Sequence, residues 1–215
     1  MKVKRFECTT MFSCNEYVCS IGNKNFIIDP GFYSKKVKEY IESIGGISFI
    51  LLTHGHYDHI SGINDLLKDF PSVKVYVYKE EIDLIMNPKK NCSSSRWDCP
   101  SEYKNYVPNI DIEPLDEGKF EIDGINFEII HTPGHTKGGC MYYFKDEKVL
   151  FTGDTILGES IGRYDLPTAS EGELFNSLAK VREKNFPSDV TCYFGHGEAF
   201  SYDKLLRVNM YLRGN

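Results

Sequence analysis

The sequence predicts an α/β fold of two similar layers packed sheet to sheet, in one domain of residues 1–215. Three observations predict it. Short apolar strands alternate with amphipathic helices, the pattern of a layered α/β architecture. The order strands, helix, strand occurs once in each half of the chain. No linker or low-complexity run separates the halves, and 215 residues suit one domain.

In the first half, residues 3–8, 17–21 and 25–29 read as strands, the last two joined by the turn Gly22-Asn23-Lys24. Residues 34–45 read as an amphipathic helix, with Val37, Tyr40, Ile41 and Ile44 on one face and Gly45-Gly46 as its stop. The apolar run 47–52 suits a strand buried on both faces. Ile60, Ile63, Leu67 and Phe70 recur at helical spacing, and Pro71 closes that helix. Residues 73–78 alternate as a strand, and 80–86 form a short helix. Segment 87–108 has no periodicity and carries Pro88, Pro100, Pro108 and the sole tryptophan, Trp97. A loop this long is either a surface excursion anchored by its aromatic residue or a cover for substrate.

The second half repeats the grammar. Strands 120–122 and 125–130 flank Asp123-Gly124, a strong two-residue hairpin signal. Strands 139–144 and 149–152 make another hairpin around Asp146-Glu147. Residues 170–183 read as a helix opened by a Ser170/Glu173 capping box, with Leu174, Phe175, Leu178 and Val181 as its apolar face. A strand at 190–194 and a helix at 202–212 finish the chain.

Composition excludes several classes of function. Hydrophobic residues are 41% and charged residues 26%, which is not the composition of a disordered or fibrous chain. With 25 basic and 31 acidic side chains the net charge is −6, which argues against a nucleic-acid partner. No run approaches the ~20 apolar residues of a membrane helix, and residues 1–12 lack the apolar stretch of a signal peptide. The seven cysteines are odd in number and irregularly spaced, so they read as reduced thiols of a cytoplasmic protein. Each is expected as a small buried residue, with Cys92 and Cys99 more exposed in their polar loop.

The chemistry-bearing signal follows strand 47–52. Thr53-His54-Gly55-His56-Tyr57-Asp58-His59 places three histidines and an aspartate within six residues. At a strand end, His54 and His56 point the same way, and Asp58 and His59 sit where the chain turns into a helix. His135, Asp154 and His196 each follow another apolar strand and a glycine-containing loop. Ligands at the ends of several strands converge on one sheet edge, which suits a catalytic metal site better than a local zinc knuckle. One histidine at a strand end is more often capped or solvent-facing than a ligand. Burying the whole cluster without metal, however, would carry large desolvation and repulsion costs. The number of donors points to two metals. His131 reads as a supporting residue, and Asp29, before Pro30-Gly31, as a turn residue.

These motifs, in this order, resemble the metallo-β-lactamase-fold hydrolases and, within them, the glyoxalase II-like (hydroxyacylglutathione hydrolase-like) branch. The matching segments are 26–31 (FIIDPG), 53–59 (THGHYDH), 131–139 (HTPGHTKGG), 150–155 (LFTGDT), 161–167 (IGRYDLP) and 193–197 (YFGHG). The resemblance implies a four-layer αββα sandwich. It implies a first metal site of His54, His56 and His135 and a second of Asp58, His59 and His196, with Asp154 bridging. Two divalent ions are implied, zinc foremost, with iron or manganese also compatible with these donors.

The implied reaction is hydrolysis of a small-molecule substrate, a thioester first of all, by a hydroxide between the metals, with Asp58 helping to orient it. Only 19 residues follow His196, so the helical extension that helps longer family members hold glutathione has no counterpart here. Tyr164 stands where the family's GRTD loop has threonine. Arg163 and Asp165 are expected to brace the site through each other or the backbone. A lactonase using the same donors, and a single-iron persulfide dioxygenase, remain open. A β-lactamase with a cysteine ligand is disfavoured because Asp154 fills that position. Oligomeric state is not legible.

Overall fold

The computed structural model describes residues 1–8, 14–94 and 99–213. Its first sheet has six strands: β1 (Lys2–Cys8), β2 (Cys14–Ile21), β3 (Lys24–Ile28), β4 (Phe49–Leu52), β5 (Lys74–Tyr78) and β6 (Ile112–Leu115), paired in that order. The first three are antiparallel, and β3 through β6 run parallel. Over its outer face lie α1 (Lys35–Ser43), α2 (Tyr57–Ile60), α3 (Ile63–Asp69) and the short α4 (Ile82–Ile85). The second sheet contains β7 (Gly118–Ile122), β8 (Ile125–His131), β9 (Cys140–Phe144) and β10 (Val149–Phe151). A small ribbon, β11 (Ile156–Leu157) with β12 (Ser160–Ile161), stands apart. After α5 (Glu171–Lys184), β13 (Thr191–Tyr193) and β14 (Phe200–Ser201) complete the sheet in the order β14-β13-β10-β9-β8-β7, and α6 (Tyr202–Val208) follows.

Strand alternation makes the layers. Phe26 and Ile28 of β3, with Phe49 of β4, face the second sheet and pack with its Tyr142, Phe144 and Phe151. Ile27, between them, faces the helices with Ile50, Val37, Ile41 and Ile63. On the far side Ile130, Leu150 and Cys192 pack against Leu174, Leu178 and Val181 of α5 and Leu205 of α6. Three cores, one between the sheets and one under each helical layer, make the expected αββα sandwich.

Local signals act as expected at several ends. Ser34 and Ser170 cap α1 and α5 by accepting from Val37 N and Glu173 N; the reciprocal half of the expected capping box is not made, because Ser170 N donates to Gly134 O. Asp123 and Gly124 both take positive φ, the two-residue turn of the β7–β8 hairpin. Three expectations need correction, and one strand was not foreseen. The expected helix through Ile60 and Phe70 is two helices, broken at Ser61-Gly62, and Leu66 rather than Leu67 is fully buried. Strand β6 carries Pro114 and has no apolar run; it pairs as an edge strand, where a missing N–H is tolerated. Phe175 is 42% exposed rather than part of the α5 core face. Cys92 and Cys99 are buried, beside Tyr57, Cys8 and Cys14.

Of the 87–108 loop, Trp97 lies outside the described residues. Asn91 is buried and holds the loop down: its side chain donates to Ile85 O and Tyr106 O, and its carbonyl accepts from Tyr57 N. No helix among the described residues is long and apolar enough to cross a membrane.

Candidate metal centre

Strands β4, β8, β10 and β13 end at one edge of the sandwich, and each donor follows one of these ends. The two sheets are tied at that edge by Cys140 N donating to Thr53 O (2.9 Å) and Tyr142 Oη donating to Leu52 O (2.8 Å). Gly153 takes a left-handed φ of 51° against the Thr53 side chain, where a Cβ would come within 2.5 Å of Thr53 Oγ1. This close approach brings the Asp154 turn over the histidine loop.

All seven expected residues converge. His54, His56 and His135 offer donor atoms within 4.8 Å of one another, and so do Asp58, His59 and His196. Asp154 stands between the groups. Its Oδ2 is 3.6 Å from His135 Nε2 and 3.3 Å from His196 Nε2, and its Oδ1 is 3.5 Å from His59 Nε2. Above them opens a cavity of about 290 Å³ whose lining includes Tyr57, Cys92, Leu157, Ile161, Arg163 and Leu166.

Electrostatics divides the donors. Burial pushes His54 and His135 below the ordinary imidazole range and His56 down to about 3. In the other group burial opposes charge but is outweighed. Asp154, Asp58 and Asp29 lift His59 to about 9, and Asp154 with Asp58 lifts His196 to about 11. Burial would also raise the carboxylates, yet His59 and His196 bring Asp58 to about 2, and His196, His59 and His54 hold Asp154 well below its usual range.

These residues fit cations. His54 Nε2, His56 Nε2, His59 Nε2 and Asp154 Oδ1 are buried without a hydrogen-bond partner among the described residues, an arrangement that is costly unless something binds there. His56 Nδ1 and His135 Nε2 are 2.9 Å apart. Two nitrogens so close share either a proton or a cation, and with burial holding both rings neutral at most one N–H lies between them.

Three supporting contacts hold the rings. Asp29, expected only in a turn, does form one: its φ is 51° and its carbonyl accepts from Gly31 N. It also reaches the centre. Asp29 Oδ1 accepts from Thr53 N at 2.7 Å, and Oδ2 accepts from Thr53 Oγ1 at 2.6 Å and from His59 Nδ1 at 3.0 Å. Thr53 Oγ1, its proton spent on Asp29, accepts from His54 Nδ1 at 3.1 Å. One carboxylate thereby aims the Nε2 atoms of two histidines at the centre. Third, His135 Nδ1 donates to Arg163 O at 2.8 Å, while the Arg163 guanidinium pairs with both Asp165 oxygens at 2.8 Å. The expected brace uses both routes, mutual and backbone. Tyr164 is exposed. His131 stacks on Tyr78 at 4.2 Å and its Nε2 lies 3.0 Å from Lys137 O, a structural placement.

Sequence reasoning missed Glu81. The short helix expected over 80–86 gives it no role, but its side chain is fully buried and accepts from Gly55 N at 2.9 Å and Gly138 N at 2.7 Å. The only available signal was a glycine in each ligand loop, and that does not name the partner.

A sandwich with histidines and aspartates gathered on one shared sheet edge defines a class of metal-dependent hydrolases. The chain belongs to the metallo-β-lactamase superfamily, whose family model matches residues 9–196. It is 35% identical over 204 residues to a probable metallo-hydrolase of Methanocaldococcus jannaschii, covering 90% of this chain and 95% of that protein. It is 31% identical over 196 residues to a hydroxyacylglutathione hydrolase of Haemophilus influenzae, covering 86% of each. Among solved structures, the B3 metallo-β-lactamase BLEG-1 matches with a TM-score of 0.88 and 28% identity, over 99% of this chain and 100% of that one. A protein crystallised in a di-iron-bound form matches with a TM-score of 0.83 and 27% identity, over 98% of this chain and 100% of that one.

Proposed function

We propose that this chain is a single-domain, dinuclear thioester hydrolase. In this reading His54, His56 and His135 hold one divalent ion, Asp58, His59 and His196 hold the other, and Asp154 bridges them. The observation that carries it is the set of buried donor atoms without partners, aimed at one place from four strand ends. Mixed imidazole and carboxylate donors suit zinc, and also iron or manganese. The hydroxyacylglutathione hydrolase relative supports a thioester substrate.

When bound, the ions supply Lewis acidity and bring the pKa of water near 7. The chain does the rest. Burial keeps His54, His56 and His135 neutral, so their lone pairs are available without first shedding protons. Asp58 stays ionised beside His59 and His196, and its carboxylate would orient the attacking water. Leu157, Ile161 and Leu166 give the acyl chain an apolar wall that displaces water. Thiolate departure needs no serine or cysteine nucleophile from the protein. Seven buried thiols suit a reducing, cytoplasmic compartment.

Metal analysis with a panel of thioesters, lactones, β-lactams and a persulfide tests the reading. The expected result is close to two metals per chain and fastest turnover of a thioester. His56→Ala and Asp154→Ala should abolish that turnover in folded protein. One iron per chain with O₂ uptake on persulfide, turnover of lactones alone, or full activity in both variants would overturn the proposal.

A further inference from the structure

Glu81 lies in a short 3-10 turn, Lys79–Glu81, that leads into α4. It has no place in the chemistry above, yet it is fully buried. Its two oxygens accept from two different loops: Oε1 from Gly55 N at 2.9 Å, and Oε2 from Gly138 N at 2.7 Å. Gly55 sits between His54 and His56. Gly138 closes the turn that begins at His135. The carboxyl has no ion-pair partner among the described residues, and burial pushes it up to about 7 against the pull of Gly55 N–H, the Thr136 hydroxyl and Gly138 N–H.

Packing tells the same story independently. A Cβ on Gly55 would come within 2.3 Å of Ile85 Cγ1 and 2.8 Å of Leu84 Cδ2. A Cβ on Gly138 would come within 2.4 Å of Glu81 N and 2.6 Å of Glu81 Oε2. Both ligand loops therefore press, with no side chain of their own between, on the same seven-residue segment from Lys79 to Ile85. Gly55 N cannot shift without carrying the histidine on each side of it.

We propose that Glu81 is a positioning residue that sets the spacing of the His54/His56 loop and the His135 loop, and so the affinity of the three-histidine site for its metal. The inference rests on the reading of those histidines as ligands. Two separate N–H donors require two acceptor oxygens. A glutamine keeps the size but has one oxygen, so its NH₂ must face a buried N–H. An outer contact of this kind is worth roughly 10–100-fold in metal affinity.

The test is titration of metal-free wild type, Glu81→Gln and Gly138→Ala with Co²⁺ against a competing chelator, following the visible absorption spectrum. If wild type binds two Co²⁺, Glu81→Gln should weaken one of them by roughly 10–100-fold and change its absorption band, leaving the other within about 3-fold. Gly138→Ala, which crowds Glu81 from the opposite side, should weaken the same site. Steady-state rates should show the loss in kcat more than in KM. Both variants binding two Co²⁺ with wild-type affinity and spectrum would overturn the role of Glu81, as would equal weakening of both sites with unfolding seen by near-UV circular dichroism. Wild type that binds no metal through His54, His56 and His135 would instead sink the reading of the site itself.

Discussion

Asp29→Asn should cost the centre its metal affinity without changing its shape. The wild-type carboxylate accepts three hydrogen bonds, from Thr53 N, Thr53 Oγ1 and His59 Nδ1, at 2.7, 2.6 and 3.0 Å. Through Thr53 Oγ1 it also fixes His54 Nδ1 as a donor. Asparagine can enter this network in two ways. With its oxygen on Thr53 N, its NH₂ points at Thr53 Oγ1 and His59 Nδ1. His59 must then carry its proton on Nε2, and Thr53, now receiving a proton, donates to His54 Nδ1 and moves that proton to Nε2 as well. Both ligands lose the lone pair that faces the centre. With the amide flipped, NH₂ faces the buried Thr53 N–H, at a cost of about 1–3 kcal/mol.

Losing one such outer partner costs roughly 10–100-fold in metal affinity. Asp29 serves two ligands, so a loss of about 100-fold or more is expected, equivalent to about 2.7 kcal/mol. Competition with a chelator measures the affinity. Long-range 15N NMR of His54 in metal-free protein, where burial keeps the ring neutral, reads the proton position directly. Wild-type affinity for both metals together with an unmoved His54 proton would refute the reasoning.

Three further outcomes are expected. Gly195→Ala puts a Cβ within 1.9 Å of Asp154 Oδ1 and 2.8 Å of His59 Cε1; a displacement of this size should lower kcat/KM by about 100-fold, with metal content measured on the same sample. In metal-free protein the Glu81 carboxyl is raised from 4.5 to about 7. A raised acid holds its proton more tightly when folded, so its stabilisation is whole below about pH 4.5 and lost as pH rises through about 7. The stability of wild type relative to Glu81→Gln should therefore fall by about 3 kcal/mol between pH 4 and 8, measured by urea unfolding; a pH-independent difference would contradict it. Finally, metal at about 1,000-fold over its Kd should add roughly 4 kcal/mol and raise Tm by roughly 8–16 °C for a chain of this size. Scanning calorimetry with and without chelator checks this.

The seven candidate donors were legible because three histidines and an aspartate crowd six residues and the other three end apolar strands. Strand ends are local features, and the fold places them at one edge. Asp29 and Glu81 were not legible for the opposite reason. A carboxylate before Pro-Gly looks the same whether it faces solvent or a histidine 30 residues away. Lys79-Glu80-Glu81 looks like a solvated helix start until the loop around residue 138 folds onto it. The helix break at Ser61-Gly62 hid under an unbroken apolar spacing, and β6 under Pro114 and its charges. Phe175 follows Leu174 in sequence but turns about 100° from it on the helix, which is enough to leave the core.

The two halves of the sandwich divide the work unequally. Each provides donors: His54, His56, Asp58 and His59 from the first, His135, Asp154 and His196 from the second. The carboxylates that orient histidines or align loops, Asp29 and Glu81, both come from the first half. In the second half His135 is oriented by a backbone carbonyl, that of Arg163. A carbonyl accepts whatever residue carries it, whereas a buried carboxylate is lost with its side chain. Substitution of Arg163 should therefore leave His135 oriented as long as the loop keeps its path. Substitution of Asp29 or Glu81 has no such substitute, so in the proposed centre the donor geometry rests on side chains in the first half and on backbone in the second.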